Sequence, residues 1–255
     1  MRLHARVYGH GQPLTILHGL FGSHENWHSI SLSLAKQFQV FAVDQRNHGL
    51  SPHSPEMDYR LMADDLAEFL TENRLSRAHI LGHSMGGKTA MQFALSYPDR
   101  VQKLVVVDIA PRAYQPRHDR ILSALLGLDI AVAKDRRQLE HALASAIPDL
   151  PTRRFLLKNL KRKPDGSFYW QLGLHEIQKS YSRLGEALTA ASPFMGPALF
   201  VRGESSEYLR ETDLPAIKNL FPQAELETIL GAGHLPHVEN PPALLERLNA
   251  FLSRG

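Results

Sequence analysis

A mostly parallel β-sheet with helices on both faces is the fold class this sequence predicts, and three observations predict it. Short apolar runs of strand length recur at 14–17, 38–43, 78–81, 103–107, 198–201 and 226–230. They read as strands buried on both faces rather than as half-exposed alternating ones. Segments with apolar residues at helical spacing separate them, and several runs end on Asp, Gly or His, where parallel sheets gather their functional groups.

At the start, Leu3, Ala5 and Val7 alternate with polar neighbours as an edge strand does, and Gly9-His10-Gly11-Gln12 turns the chain into the first buried run. Trp27, Ile30 and Leu34 mark a helix before the 38–43 run, which closes on Asp44. Leu61, Met62, Leu66, Phe69 and Leu70 share a second helical face. The valines at 105–107 form a strand ending in Asp108. From Tyr114 to about Pro193 the rhythm changes. Ile121, Leu122, Leu125 and Leu128 form one stripe, Leu139, Leu143 and Ile147 another, and Phe155, Leu156, Leu157 and Leu160 a third, separated by Pro148, Pro151 and Pro164-Asp165-Gly166. These patterns predict a core built from 1–111 and 194–255, with a helical cap inserted at 112–193 after the sixth strand. Pro241-Pro242 then open a terminal helix with Leu244, Leu245, Leu248, Phe251 and Leu252 on one face.

The chain has 255 residues and 29 Lys+Arg against 26 Asp+Glu, so its net charge is only +3 and its basic residues are scattered. That balance argues against nucleic acid as a partner. With no cysteine, disulfides, thiolate metal sites and a cysteine nucleophile are excluded. No signal-peptide core or membrane span is evident, so the expectation is a cytoplasmic protein without integral membrane association, a monomer or weak homodimer.

Chemistry concentrates in the loops after the strands. Gly82-His83-Ser84-Met85-Gly86 lies between an apolar strand and the helix beginning at Gly87-Lys88-Thr89, the setting of a nucleophile elbow. A serine hydroxyl needs a base, and His234 in Gly231-Ala232-Gly233-His234-Leu235-Pro236-His237 is favoured over His237. A carboxylate must orient that imidazole. Asp108 is favoured, with Glu207 and then Glu204 as alternatives in the loop after the next strand. The loop His18-Gly19-Leu20-Phe21-Gly22 offers the Leu20 N–H, which with the Met85 N–H forms an oxyanion hole; Phe21 serves if the register differs by one. His18, Phe21, Trp27, His83, Tyr114 and Leu235 are candidates for the substrate pocket. Asp44-Gln45-Arg46-Asn47-His48-Gly49 reads as loop bracing. No cluster has metal-ligand spacing along the chain and Gly86-Gly87-Lys88-Thr89 is not a phosphate loop, so neither metal nor cofactor is expected.

The segments His18-Gly19-Leu20-Phe21-Gly22-Ser23, Asp44-Gln45-Arg46-Asn47-His48-Gly49-Leu50-Ser51, Gly82-His83-Ser84-Met85-Gly86-Gly87-Lys88 and Asp108-Ile109-Ala110-Pro111 together resemble the α/β-hydrolase superfamily, and within it the YbfF-type bacterial serine esterases. The resemblance implies the α/β-hydrolase fold with a small helical cap, and hydrolysis of short to medium acyl esters or thioesters. It also implies that the acid is Asp108, and it places Asn47 where many of the wider superfamily carry glycine. The expectation is a serine carboxylesterase acting through an acyl-enzyme on a small-molecule acyl ester. An acyl-CoA thioesterase or another serine-triad hydrolase (carbon–carbon bond, lactone) is the alternative within enzymes, and a catalytically silent ligand-binding receptor the one outside them.

Overall fold

A computed structural model describes residues 1–254. In chain order the core begins with β1 (Ala5–Tyr8), β2 (Gln12–Leu17), α1 (His28–Leu34), β3 (Phe38–Val43), α2 (Tyr59–Glu72), β4 (Ala78–His83), α3 (Met85–Ser96) and β5 (Val101–Val107). The intervening segment contributes α4 (Asp119–Leu126), α5 (Arg136–Ala142), α6 (Leu150–Leu157), β6 (Leu160–Arg162), β7 (Phe168–Trp170) and α7 (Leu174–Leu184). The core resumes with β8 (Ala198–Gly203), α8 (Leu214–Leu220), β9 (Ala224–Ile229), α9 (Pro236–Glu239) and α10 (Pro241–Leu252).

Seven strands form one sheet in the order β1-β3-β2-β4-β5-β8-β9. Only β1 runs antiparallel, pairing Ala5 with Val43 at the edge. The other strands are parallel, so the loops bearing Asp44, Ser84 and Asp108 all leave the same end of the sheet. Alternate residues divide between two apolar layers. Ile80, Leu104, Val106 and Phe200 face the layer containing α2 and α3. Leu81, Val105, Val107 and Leu199 face Trp27, Ile30 and Leu34 around α1, and Leu244, Leu248 and Phe251 on α10. Burial on both faces explains why these strands read as continuous apolar runs.

The helical insertion leaves β5, the fifth strand of the chain, and not the sixth as expected. One antiparallel and four parallel strands precede it. Nor is the insertion purely helical. Pro164-Asp165-Gly166, expected only as a break, sits in the turn of a hairpin that pairs Leu160 with Trp170 and Arg162 with Phe168, with Gly166 at φ 87°. Leu160, grouped with the α6 stripe by spacing, is the first residue of β6. The insertion shares one apolar cluster with the core, through Leu122, Leu125, Ile147, Leu156 and Ile177. Polar ties reinforce this: Tyr59 Oη donates to the Leu184 carbonyl (2.8 Å), Asn159 Nδ2 to the Phe21 carbonyl (2.8 Å), and Gly173 N to the Asn47 carbonyl (2.9 Å).

The close approach of α3 to the sheet depends on Gly86. A Cβ there lies 2.4 Å from the Leu17 carbonyl oxygen and 2.5 Å from that of His18, both backbone atoms that cannot swing aside. Gly86→Ala is expected to lower unfolding stability by about 2–4 kcal/mol, read as a drop in the urea midpoint at unchanged m-value.

Candidate active site

Ser84 is the single residue joining β4 to α3, and it adopts φ 52° and ψ −118°. This conformation is strained for a residue with a side chain. Its N–H is held by the Val107 carbonyl (3.0 Å), and its own carbonyl accepts from Lys88 N (3.0 Å). Gly82 makes the reversal possible: a Cβ there lies 2.0 Å from the Gly86 carbonyl oxygen. Ser84 Oγ is 3.0 Å from His234 Nε2, and His234 Nδ1 is 2.7 Å from Asp108 Oδ2. The three residues leave β4, β5 and the loop after β9, so the sheet itself sets their spacing.

Asp108 also has a positive φ, 54°, and is fully buried. Its Oδ1 accepts from Gly203 N (3.0 Å), and its Oδ2 accepts the Ser206 hydroxyl. Glu207 is elsewhere: its side chain is 64% exposed and faces Arg117 (3.5 Å). Glu204 receives the Gly231 N–H (2.9 Å). The reason is reach. A carboxylate on a short side chain at the end of a central strand sits beneath the imidazole, whereas the 203–207 loop turns its glutamates to solvent.

His83 donates from Nε2–H to the His234 carbonyl (2.8 Å). Burial, with His237 and His234 nearby, keeps its pKa well below the ordinary range. It is thus a neutral strut under the loop carrying His234. His237 stacks on Trp27 (centroids 4.5 Å apart, 10° between planes), and burial lowers its pKa to about 3. It makes no hydrogen bond to Ser84 among the described residues. Tyr208 stacks on the His234 ring, 3.9 Å between centroids.

Met85 begins α3, where first-turn N–H groups have no intrahelical acceptor. Leu20 N–H also finds no acceptor among the described residues, whereas Phe21 N–H is taken by His48 Nε2 (3.2 Å). Of the two registers expected for the loop, Leu20 is therefore the one with a free donor.

Two cavities open on Ser84. The larger, about 280 Å³, is lined by Phe21, Trp27, His83, Leu235 and His234, together with Ile121, Phe155 and Leu156 from the insertion. The smaller, about 70 Å³, is lined by Met85, Lys88, Tyr59, Tyr114, Tyr181 and Tyr208 among others. Leu20, Ser84 and His118 belong to both. His18 lines neither and is corrected here. It is buried, with Nε2 accepting from Gln45 N (3.1 Å) and Nδ1 against the Gly19 carbonyl (2.8 Å), so its ring braces the loop instead of facing substrate. Lys88, His118, Tyr181 and Tyr208 escaped sequence reasoning. Lys88 carried a signal, since i+4 from Ser84 returns to the same helical face. His118 and Tyr208 sit in or beside irregular segments that carry none, whereas Tyr181 lies within α7.

Strand order, an elbow between strand and helix, and an imidazole delivered from a late loop define a class of α/β enzymes. The alpha/beta hydrolase fold family matches residues 12–241, and the chain belongs to that family. It is 37% identical to sn-1-specific diacylglycerol lipase ABHD11 of Danio rerio, over 96% of this chain and 79% of that protein. It is 35% identical to Esterase YbfF of Escherichia coli, over 94% of this chain and 93% of that one. A solved marine microorganism esterase superposes with a TM-score of 0.96 at 44% identity, covering 98% of this chain and 99% of its own. Among the described residues no helix is long and apolar enough to cross a membrane.

One buried carboxylate ties the loops around the site together. Asp44 accepts from His24 N (2.7 Å), Leu50 N (2.9 Å), His4 Nδ1 (2.9 Å) and His24 Nδ1 (2.9 Å). His4, His24 and Asp44 place ligating atoms within 4.8 Å of one another, a grouping that no spacing along the chain reveals. Both carboxylate oxygens are already occupied by N–H donors, so the donor set fits a brace better than a metal. Beside it Asn47 takes φ 64°, which accounts for Asn where glycine is common, and exchanges hydrogen bonds with Ser54. His48, whose pKa burial lowers to about 3, is a buried acceptor and not a ligand group. For Asp44, burial pushes the pKa up, but the hydrogen bond from His24, the nearby His18 and the amide donors more than offset it. The group ends well below the ordinary carboxylate range. A depressed pKa means stability that is present above the unfolded carboxyl value, about 3.9, and lost as pH falls below it. Asp44→Asn is expected to cost about 3–5 kcal/mol at pH 7, and urea unfolding across pH 2–5 should show a shallower acid loss than in the parent protein.

Proposed function

We propose that the protein is a serine carboxylesterase that cleaves short to medium acyl esters through an acyl-enzyme. The observation that carries this reading is the unbroken relay from Ser84 Oγ through His234 to the buried Asp108. The names of its relatives, an esterase and a diacylglycerol lipase, support the same class of bond.

In this reading His234 Nε2 takes the Ser84 proton as Oγ attacks the carbonyl carbon, and the carbonyl π pair moves onto oxygen. Leu20 and Met85 N–H groups hold that oxyanion. The tetrahedral centre collapses, the bond to the leaving oxygen breaks, and His234 returns the proton to it. Water then repeats the sequence on the acyl-serine, releasing acid and restoring the hydroxyl. Asp108 stays ionised, fixing the tautomer and stabilising the imidazolium. An acyl thioester fits the same steps, since the leaving sulfur is released in the same way.

The test is hydrolysis of p-nitrophenyl esters from two to twelve carbons, with fluorophosphonate labelling read by mass spectrometry. Ser84→Ala is expected to abolish labelling and to lower kcat by about 10⁴-fold or more, and Asp108→Asn by about 10³–10⁴-fold. Glu207→Gln should stay within about twofold, because its partner is a surface arginine. Large loss in Glu207→Gln with Asp108→Asn active would overturn the assignment of the acid.

A further inference from the structure

Resting on that reading, we infer that the small cavity beside Ser84 is an acyl site for a short chain ending in a carboxylate, with Lys88 as the group that binds it. The direction of the substrate follows from the lining. His234, which must protonate the leaving group, lines the larger cavity and not the smaller one. The leaving alcohol or thiol therefore belongs in the larger, mainly apolar space, and the acyl chain in the smaller one.

The smaller space is mostly apolar but holds a buried cation. Lys88 is 1% exposed. Its ammonium has three N–H donors, of which one reaches the Glu186 backbone carbonyl. The rings of Tyr59 and Tyr114 lie 5.3 Å and 5.0 Å from Nζ. No carboxylate comes within 4.0 Å of it among the described residues, and Glu186 itself is exposed to solvent. The second cation lining the cavity, Arg117, is exposed and already paired with Glu207.

Three of the four tyrosine hydroxyls are committed as well. Tyr59 donates to the Leu184 carbonyl and Tyr114 to that of Tyr208, and Tyr181 accepts from Arg117 N and His118 N. Neither Asp nor Glu lines the cavity. A buried cation with spare donors and no protein counter-ion in contact is costly, and an anion brought by a ligand removes that cost. Burial, with Arg112 nearby, lowers the Lys88 pKa to about 8, an effect the solvated Glu186 charge offsets only in part, so the group is still mostly cationic at neutral pH. A cavity of about 70 Å³ is a small space, which suits a short acyl chain best. Half-esters and half-thioesters of small dicarboxylic acids are the substrate class.

The experiment compares benzyl hydrogen butanedioate with benzyl butanoate, which share a leaving group and a chain length, by chromatography of released benzyl alcohol. The expected result is a higher kcat/KM for the charged ester. In Lys88→Met the ratio of the two should fall by about tenfold or more, the scale of one charge-assisted hydrogen bond, and Lys88→Arg should recover part of it. A merely structural Lys88, clamping residue 186, predicts equal losses on both esters, and that result overturns the inference. If the Met variant does not fold, protection decides the matter in the parent protein. Butanedioate should slow fluorophosphonate labelling of Ser84 where butanoate at equal concentration does not; equal protection overturns the inference. Absence of any labelling sinks the esterase reading instead, whereas a labelled enzyme with an unmoved ratio sinks this inference alone.

Discussion

At Ser84 the chain turns from strand to helix within a single residue, and the rest of the site depends on the backbone tolerating that turn. A positive φ at a residue with a side chain costs on the order of 1–3 kcal/mol. Neighbouring contacts hold it there: the amide is fixed by β5, the carbonyl starts the helical ladder, and the two flanking glycines leave room that any side chain would fill with a backbone clash. What the strain secures is direction. The hydroxyl stands at the end of the sheet, beside the first-turn N–H of α3, where two cavities meet.

Asp108 repeats the device one strand over, again at positive φ, again with its amide held by the next strand. Asp44 likewise collects donors at the end of β3. Two buried carboxylates thus stand at strand ends with different partners: one receives an imidazole that also meets Ser84, the other receives two imidazoles and two loop amides. Position on the sheet, more than residue type, separates the roles.

The elements legible in the sequence were those governed by local rules. Burial on both faces wrote the strands as apolar runs, and the glycine pattern around Ser84 marked the elbow because only a missing Cβ fits there. Leu20 and Asp108 were within reach because each lies in a loop directly after a strand. The hairpin of β6 and β7 was not, since three-residue strands carry too little periodicity and their turn reads as a simple break. His18 misled for a related reason: it follows a strand beside functional loops, yet hydrogen bonds at both ring nitrogens, one of them a tertiary bond from Gln45 N, make it a brace. The Asp44 cluster joins positions 4, 24 and 44, and no local pattern records a meeting of that kind.

Around His234 the other rings are kept from competing with it. Burial depresses the pKa of His83, His237 and His118. His118 also has a hydrogen-bond partner, since its Nδ1 faces the Tyr181 hydroxyl at 2.7 Å. All three stay neutral at pH 7, so no second imidazolium faces His234 when it takes a proton. The positive charge that would form there in the proposed reaction is matched by Asp108, the one carboxylate in contact with it among the described residues. Lys88 is the buried cation of the site, and it lines only the smaller cavity, which His234 does not line. In the proposed reaction the two charges would act on different parts of a substrate: that on His234 with the leaving group, that on Lys88 with whatever the acyl chain carries. On that reading the sheet, by fixing Ser84 where the two cavities meet, separates bond cleavage from acyl recognition.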